Sequence, residues 1–263
     1  MGRFALSQLE KKFENLVEIV SKLRSPGGCP WDIEQTSKSL IPYFIEEVYE
    51  VIEAIDNDDQ NALKEELGDV MLHLIFQGLI AEEQKKFKIQ DTIENVSSKL
   101  IKRHPHVFKN EKADGSFQAK QNWETAKRKE KNRKSRLDGV PLGLPSIVQA
   151  QRLQEKASYS GFDWKRSKDV WKKISEEIEE LKKAEADGNI KQIEEELGDA
   201  IFSLVNLARY LNISAENALR LTNDKFKKRF KYIENALEQE GKDFEKTDID
   251  ELDKYWNKAK GNE

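Results

Sequence analysis

The sequence of 263 residues is poor in cysteine, histidine and methionine, with one, three and two of each. The single cysteine, Cys29, excludes an intramolecular disulfide and fits a reducing, cytoplasmic location. No serine, cysteine or histidine lies in a pattern that is typical of an activated nucleophile. Any hydrolysis by this chain is therefore expected to use water directly.

Long apolar runs and a strong excess of one charge are also missing. No stretch is long and apolar enough to span a membrane, and the first residues show an amphipathic helical pattern instead of a signal peptide. The chain has 45 basic and 49 acidic residues, a net charge of −4, so no general field for polyanions is expected. The basic segment 127–136 lacks interleaved aromatic residues. A solvated helix end is therefore favoured there over a nucleic-acid contact.

The most informative stretch is a pair of acidic helical patterns, at residues 173–187 and 190–209. The turn signal Asp187-Gly188-Asn189 separates them. The first pattern carries Glu176, Glu177 and Glu180, and the second carries Glu196 and Asp199. Residues three apart lie on one face of a helix, and a short connection makes the two helices neighbours. The acidic faces are therefore expected to meet.

Converging carboxylates of this kind require a cation. After Asp199 the second pattern is apolar nearly all round, except for a narrow polar stripe that continues at Ser203 and Asn206. A buried carboxylate needs a partner or a metal, and ligation by oxygen alone suits Mg²⁺, with Mn²⁺ as a possible substitute. The sequence predicts a metal site formed by Glu177, Glu180, Glu196 and Asp199.

The same pattern occurs 130 residues earlier, with ELGD present in both halves. The matching carboxylates are Glu46, Glu47, Glu50, Glu66 and Asp69. A second metal site is therefore predicted at Glu47, Glu50, Glu66 and Asp69. The repeat predicts an all-α fold of two helical bundle domains, residues 1–138 and 139–263, divided where glycines and prolines cluster. Small, highly charged bundles often complete their cores by pairing, so a homodimer is expected.

These motifs resemble the MazG family of nucleoside triphosphate pyrophosphohydrolases, whose signature is EExxE followed by ExxD on consecutive helices. The chain is similar to the tandem-repeat form of that family. Supporting segments are CPWDIEQT at 29–36, KRHPHVF at 102–108, GFDW at 161–164 and NLARYL at 206–211. The resemblance implies an all-α fold, Mg²⁺, and hydrolysis of nucleoside triphosphates to monophosphate and pyrophosphate, as part of nucleotide-pool housekeeping.

Cations are also required, because a triphosphate carries close to four negative charges. Lys225 and Arg229 lie on one face of a long predicted helix, and Trp256 lies in the last one. The resemblance favours all three as nucleotide contacts, although packing explains the tryptophan equally well.

The two halves differ in the charges that surround their carboxylates. Lys173 and Lys191 in the second half match Tyr43 and Asn61 in the first. The second half is therefore predicted to be the main catalytic unit, with Lys173, Lys191 and Glu195 in its substrate-binding set.

The predicted mechanism is attack of water on the α-phosphorus, with Glu176 and Glu177 as catalytic carboxylates. Two alternatives stay open. A di-iron bundle also uses facing glutamates, but it needs Glu-x-x-His, and His73 follows Asp69 by four residues with no counterpart in the second half. The other alternative is that the first half is a non-catalytic module for dimerisation or regulation.

Overall fold

The computed structural model describes residues 3–109 and 113–261, and its regular structure within them is helical. The all-α prediction is confirmed. These residues form two compact units, one ending at Lys109 and the other following it. None of the described helices combines the length and the apolar character that crossing a membrane requires.

The first unit is built around a helix pair. Its helices are α1 Arg3–Arg24, α2 Pro30–Glu34, α3 Ile41–Asp56, α4 Gln60–Glu83, α5 Ile89–Arg103 and α6 Pro105–Phe108. α3 packs against α4, and Asp59 begins α4 by accepting hydrogen bonds from the backbone N–H groups of Asn61 and Ala62. The buried apolar core comprises Val20, Leu40, Ile75, Phe76 and Ile80.

The second unit repeats this helix pair. Its helices are α7 Gly115–Glu130, α8 Ser146–Ser158, α9 Ser167–Asp187, α10 Ile190–Tyr210, α11 Ala215–Gln239 and α12 Ile249–Gly261, with a 3₁₀ turn at Phe244–Lys246. Between α9 and α10, Gly188 adopts the left-handed conformation with φ +70°. Asn189 then caps α10. The turn predicted from Asp187-Gly188-Asn189 is therefore present and joins the two acidic helices.

The helix α7 belongs to the second unit. Lys156 of α8 is 5% exposed, and its Nζ lies 2.6 Å from Glu124 Oε2 of α7. A buried ammonium needs such a partner. The division of the structure after Lys109 therefore differs from the sequence boundary at residue 138, which followed the glycines and prolines and not the packing of α7.

Candidate metal and nucleotide site

The helix pair of the second unit brings three of its predicted metal ligands together. Glu177 lies on α9, and Glu196 and Asp199 lie on α10. One carboxylate oxygen from each lies within 4.8 Å of the other two. Glu177 is 6% exposed, so its charge must be compensated inside the protein.

Lys173 provides that compensation. One turn before Glu177 on α9, its Nζ lies 2.6 Å from Glu177 Oε1 and 2.7 Å from Glu176 Oε1. Hydrogen bonds to Glu176 and Glu177 raise the pKa of Lys173. The bond from Lys173 lowers the pKa of Glu176. The lysine predicted as a phosphate contact thus lies directly beside the acidic cluster.

Glu180 is exposed and lies outside the group of three, although it is close enough to interact with it. Loss of solvation, followed by the charges of Glu177 and Glu196, raises the pKa of Glu180. The predicted set of four ligands is therefore arranged as three converging carboxylates and one neighbour. Its role as a ligand stays a prediction.

The first unit holds the matching cluster of Glu47, Glu66 and Asp69, again with one oxygen from each within 4.8 Å of the others. Loss of solvation, and then the charges of Asp69 and Glu50, raises the pKa of Glu47 to about 7. Tyr43, at the position of Lys173, packs edge-on against Trp31 with ring centroids 5.8 Å apart. No lysine faces this cluster from the position that Lys173 has in the second unit.

The chemistry of both clusters fits a hard divalent cation. Each offers carboxylate oxygens alone, which Mg²⁺ and Mn²⁺ prefer, and in each the like charges are unstable without a counter-charge. His73 is 8% exposed and lies against Phe44 with ring centroids 5.8 Å apart, and it is not a member of the acidic group. The di-iron alternative is therefore not supported, because no histidine joins the carboxylates.

A cavity of about 750 Å³ adjoins the carboxylates of the second unit. Glu177, Asp199 and Lys173 form part of its lining. Most of the remaining wall is apolar and aromatic, with contributions from Leu137, Leu153, Ala157, Phe162, Trp164, Val170 and Phe202. An apolar cavity with a few convergent polar groups is the usual form of a small-molecule site.

The polar groups of this cavity had no role in the sequence-based prediction. They include Gln154, Ser203 and Asn206, and the ion pair between Arg209 and Asp163. The stripe that continues from Asp199 to Ser203 and Asn206 on an apolar helix was the signal for two of them. Gln154 could not be found in this way, because nothing in the sequence shows that α8 packs against α10.

The first unit fills the matching positions differently. Ser203, Asn206 and Arg209 correspond to His73, Phe76 and Leu79. Phe76 is 4% exposed and belongs to the apolar core, with Leu79 packed against it. The side chains that make the second cavity polar are therefore replaced by apolar ones in the first unit at two of these three positions.

The other predicted substrate contacts lie elsewhere in the second unit. Lys191 Nζ is 3.7 Å from Glu195 Oε1, and both side chains are exposed on the first turns of α10. Lys225 is exposed on α11. The guanidinium of Arg229 lies 5.3 Å from the ring centroid of Trp256. None of these five lines the cavity, so their contact with a nucleotide stays a prediction.

Comparison with known proteins matches this arrangement of repeated helix pairs. The MazG nucleotide pyrophosphohydrolase domain matches the chain twice, at residues 35–108 and 166–233. The chain belongs to the MazG family. It is 48% identical over 251 residues to the nucleoside triphosphate pyrophosphohydrolase/pyrophosphatase MazG of Thermotoga maritima, covering 95% of this chain and 96% of that protein.

Two further relatives carry the same printed function. The nucleoside triphosphate pyrophosphohydrolase of Escherichia coli K12 is 37% identical over 258 residues, which are 96% of this chain and 98% of that protein. That of Mycobacterium tuberculosis is 38% identical over 157 residues, 59% of this chain and 47% of that protein. The family membership expected from EExxE and ExxD is confirmed.

The raised pKa of Glu47 predicts a specific dependence of stability on pH. Between pH 4.5 and about 7 the folded first unit retains a proton that the unfolded chain releases. The free energy of unfolding of the metal-free protein should therefore fall as pH rises through this window. Glu47→Gln removes the titrating group, so the variant should unfold at a higher temperature than the wild type at pH 8, in EDTA, by calorimetry.

The control for this experiment is Glu53→Gln, which changes an exposed glutamate of the same helix. It should retain the pH dependence of the wild type. Equal unfolding temperatures for wild type and Glu47→Gln at pH 8 would contradict the electrostatic strain inferred for the first cluster.

Proposed function

We propose that this chain hydrolyses nucleoside triphosphates to nucleoside monophosphate and pyrophosphate, with the second unit as its main catalytic unit and Mg²⁺ as its cofactor. The observation that supports this most strongly is the group of Glu177, Glu196 and Asp199 at the edge of a cavity large enough for a nucleoside. The family and the printed functions of its relatives agree with this proposal.

The carboxylates Glu177, Glu180, Glu196 and Asp199 would hold the cation. A bound divalent cation supplies positive charge that neutralises the triphosphate oxygens and the charge developing at the α-phosphorus. Because Lys173 already lies between two carboxylates, it is placed to transfer its hydrogen bonds to phosphate oxygens when the substrate binds. Lys191, Lys225 and Arg229 are the remaining predicted contacts of the phosphates.

Transfer of Lys173 to the substrate also prepares the base. Its bond to Glu176 holds the pKa of that carboxyl down in the substrate-free state, which makes the carboxylate a weak proton acceptor. Once the lysine has moved, the pKa of Glu176 returns towards its ordinary value and the carboxylate can accept a proton from the attacking water. Direct attack by water is preferred, because no side chain in the site is a suitable nucleophile.

The position of the attack is tested by isotope labelling. Hydrolysis in ¹⁸O-labelled water should place the label in the nucleoside monophosphate, because the proposed attack is at the α-phosphorus. Mass spectrometry of both products measures this. Label in orthophosphate, with nucleoside diphosphate as the other product, would mean attack at the γ-phosphorus and would contradict the proposal.

Three observations favour the second unit over the first as the catalytic one. It has Lys173 where the first has Tyr43, and its cavity carries Asn206 where the first has the buried Phe76. It also has Lys191 in place of Asn61. The alternative of a regulatory or dimerising first unit follows from the same differences, since its carboxylates can bind a cation without the groups that contact phosphate.

Glu177→Gln should therefore abolish most of the hydrolysis by the full chain, while Glu47→Gln should leave most of it. Each charge-assisted contact with phosphate contributes roughly 1.5–3 kcal/mol. Losing two corresponds to on the order of a hundredfold or more. Steady-state release of pyrophosphate measures both variants. If Glu47→Gln is the more damaging change, the lysine argument is wrong and the first unit is the main enzyme.

We also propose that the chain forms a homodimer. On α10, Leu197, Ile201 and Leu204 follow helical spacing and are each nearly half exposed. Leu67, Met71 and Leu74 form the matching stripe on α4, with similar exposure. Both helices would gain by covering these apolar stripes against a second copy of the chain.

The double variant Met71→Glu/Ile201→Glu should be monomeric, because it would place an unpaired charge in each covered stripe. Light scattering should then give the mass of one chain, 30.5 kDa, and twice that value for the wild type. Ile249→Glu changes an exposed isoleucine of α12 and serves as a control that should stay dimeric. A monomeric wild type would contradict the proposal.

A further inference from the structure

The cavity of the second unit contains a buried hydrogen-bond acceptor that has no donor. Gln154, on α8, is 8% exposed, and its Nε2 donates to the backbone carbonyl oxygen of Phe202 at 2.8 Å. This bond fixes the orientation of the amide, because the reversed amide would place two carbonyl oxygens against each other. Its Oε1 is buried and has no hydrogen-bond partner among the described residues. Such an acceptor lowers the stability of the fold unless something donates to it.

A nucleoside triphosphate carries suitable donors on only part of its structure. The ionised triphosphate presents acceptor oxygens alone, whereas every nucleobase carries at least one N–H group and the sugar carries hydroxyl groups. The free acceptor of Gln154 therefore matches the nucleoside and repels the phosphates. The phosphates belong at the opposite side of the lining, where Lys173 and the carboxylates Glu177 and Asp199 lie.

The walls around Gln154 favour the base over the sugar. Phe162, Trp164 and Phe202 supply aromatic and apolar surface in the same cavity, which suits a flat ring. A sugar, with its several hydroxyl groups, would find few partners on such a surface.

A second polar group is held in place beside this surface. Asn206 Oδ1 accepts a hydrogen bond of 2.9 Å from Arg209 Nε. The guanidinium of Arg209 is in turn bound by both carboxylate oxygens of Asp163, in the loop before α9. With its oxygen engaged, the amide NH₂ of Asn206 is the group left for a ligand. The cavity thus offers a fixed acceptor at Gln154 and a donor at Asn206, which together complement a base edge that carries one donor and one acceptor.

We propose that this cavity is the nucleobase subsite and that Gln154 determines specificity by accepting a hydrogen bond from an N–H group of the base. This inference rests on the proposed function and adds the residue that selects among nucleoside triphosphates. It does not require Trp256, which packs against Phe226 with ring centroids 5.2 Å apart.

The test measures binding, so that it does not depend on turnover. Isothermal titration with Mg²⁺ would compare four α,β-methylene nucleoside triphosphates, which differ only in the base, with pyrophosphate, which has none. The wild type should prefer at least one base by tenfold or more. Gln154→Leu, which removes the acceptor at similar volume, should reduce that preference to threefold or less and leave the affinity for pyrophosphate unchanged within twofold.

Gln151→Leu is the matched control on the same helix. Its side chain bonds the carbonyl oxygen of Ile213 and the N–H of Ala215, so its loss costs hydrogen bonds of α8 without touching the cavity lining. It should keep the base preference of the wild type. Should thermal unfolding show that Gln154→Leu does not fold, Asn206→Leu replaces it, with the same loss of preference expected.

The other outcomes overturn the inference. If Gln154→Leu keeps the base preference, the acceptor is satisfied within the protein. If it weakens all four analogues equally, the amide contacts the sugar instead of the base. A wild type without any base preference would also contradict a specificity role. None of these results affects the proposed hydrolysis, whereas a wild type that binds neither the analogues nor pyrophosphate in Mg²⁺ would contradict the proposed function itself.

Discussion

Repulsion among carboxylates held within 4.8 Å of one another is the constraint that both units must satisfy. In the second unit the ammonium of Lys173 provides the counter-charge at 2.6 Å from Glu177. In the first unit Tyr43 replaces that lysine, and the pKa of Glu47 rises to about 7 instead. One cluster is thus neutralised by a cation of the protein and the other by retention of a proton. A divalent cation would replace either, so both clusters are sites where metal binding relieves strain that folding creates.

The helix pair makes this convergence possible because its geometry is fixed at the turn. Gly188 adopts a conformation that side chains with a Cβ rarely take, and Asn189 caps the next helix. Further along α10, Arg209 binds Asp163 in the loop before α9. The two ends of the pair are therefore tied, one by backbone conformation and one by an ion pair. Glu177, Glu196 and Asp199 lie between these ties and have little freedom to separate.

The sequence predicted the features that depend on local spacing. The two acidic helices, their connecting turns and the clusters formed by Glu47 and Glu177 with their partners follow from intervals of three residues and one short connection. Features that depend on packing between distant segments were not predictable in this way. The acceptor at Gln154 lies 45 residues or more from Asp199 along the chain, and the salt bridge of Lys156 with Glu124 places α7 in the second unit. Lys225 and Arg229 were assigned by resemblance, and helical spacing alone does not show where their face points.

The two repeats use the same helix positions for different purposes. Burying Phe76 in the core of the first unit stabilises that unit by roughly 1.5–3 kcal/mol. The second unit has Asn206 at this position, so it forgoes that burial and holds the amide with Arg209. Proteins tolerate such local losses of stability where a binding site requires an open, polar-lined space. Tandem duplication allows this exchange, because one copy can retain a filled apolar core while the other keeps the cavity. The difference at a single matched position, phenylalanine against asparagine, therefore argues that the first unit contributes more to stability and the second more to recognition of the substrate.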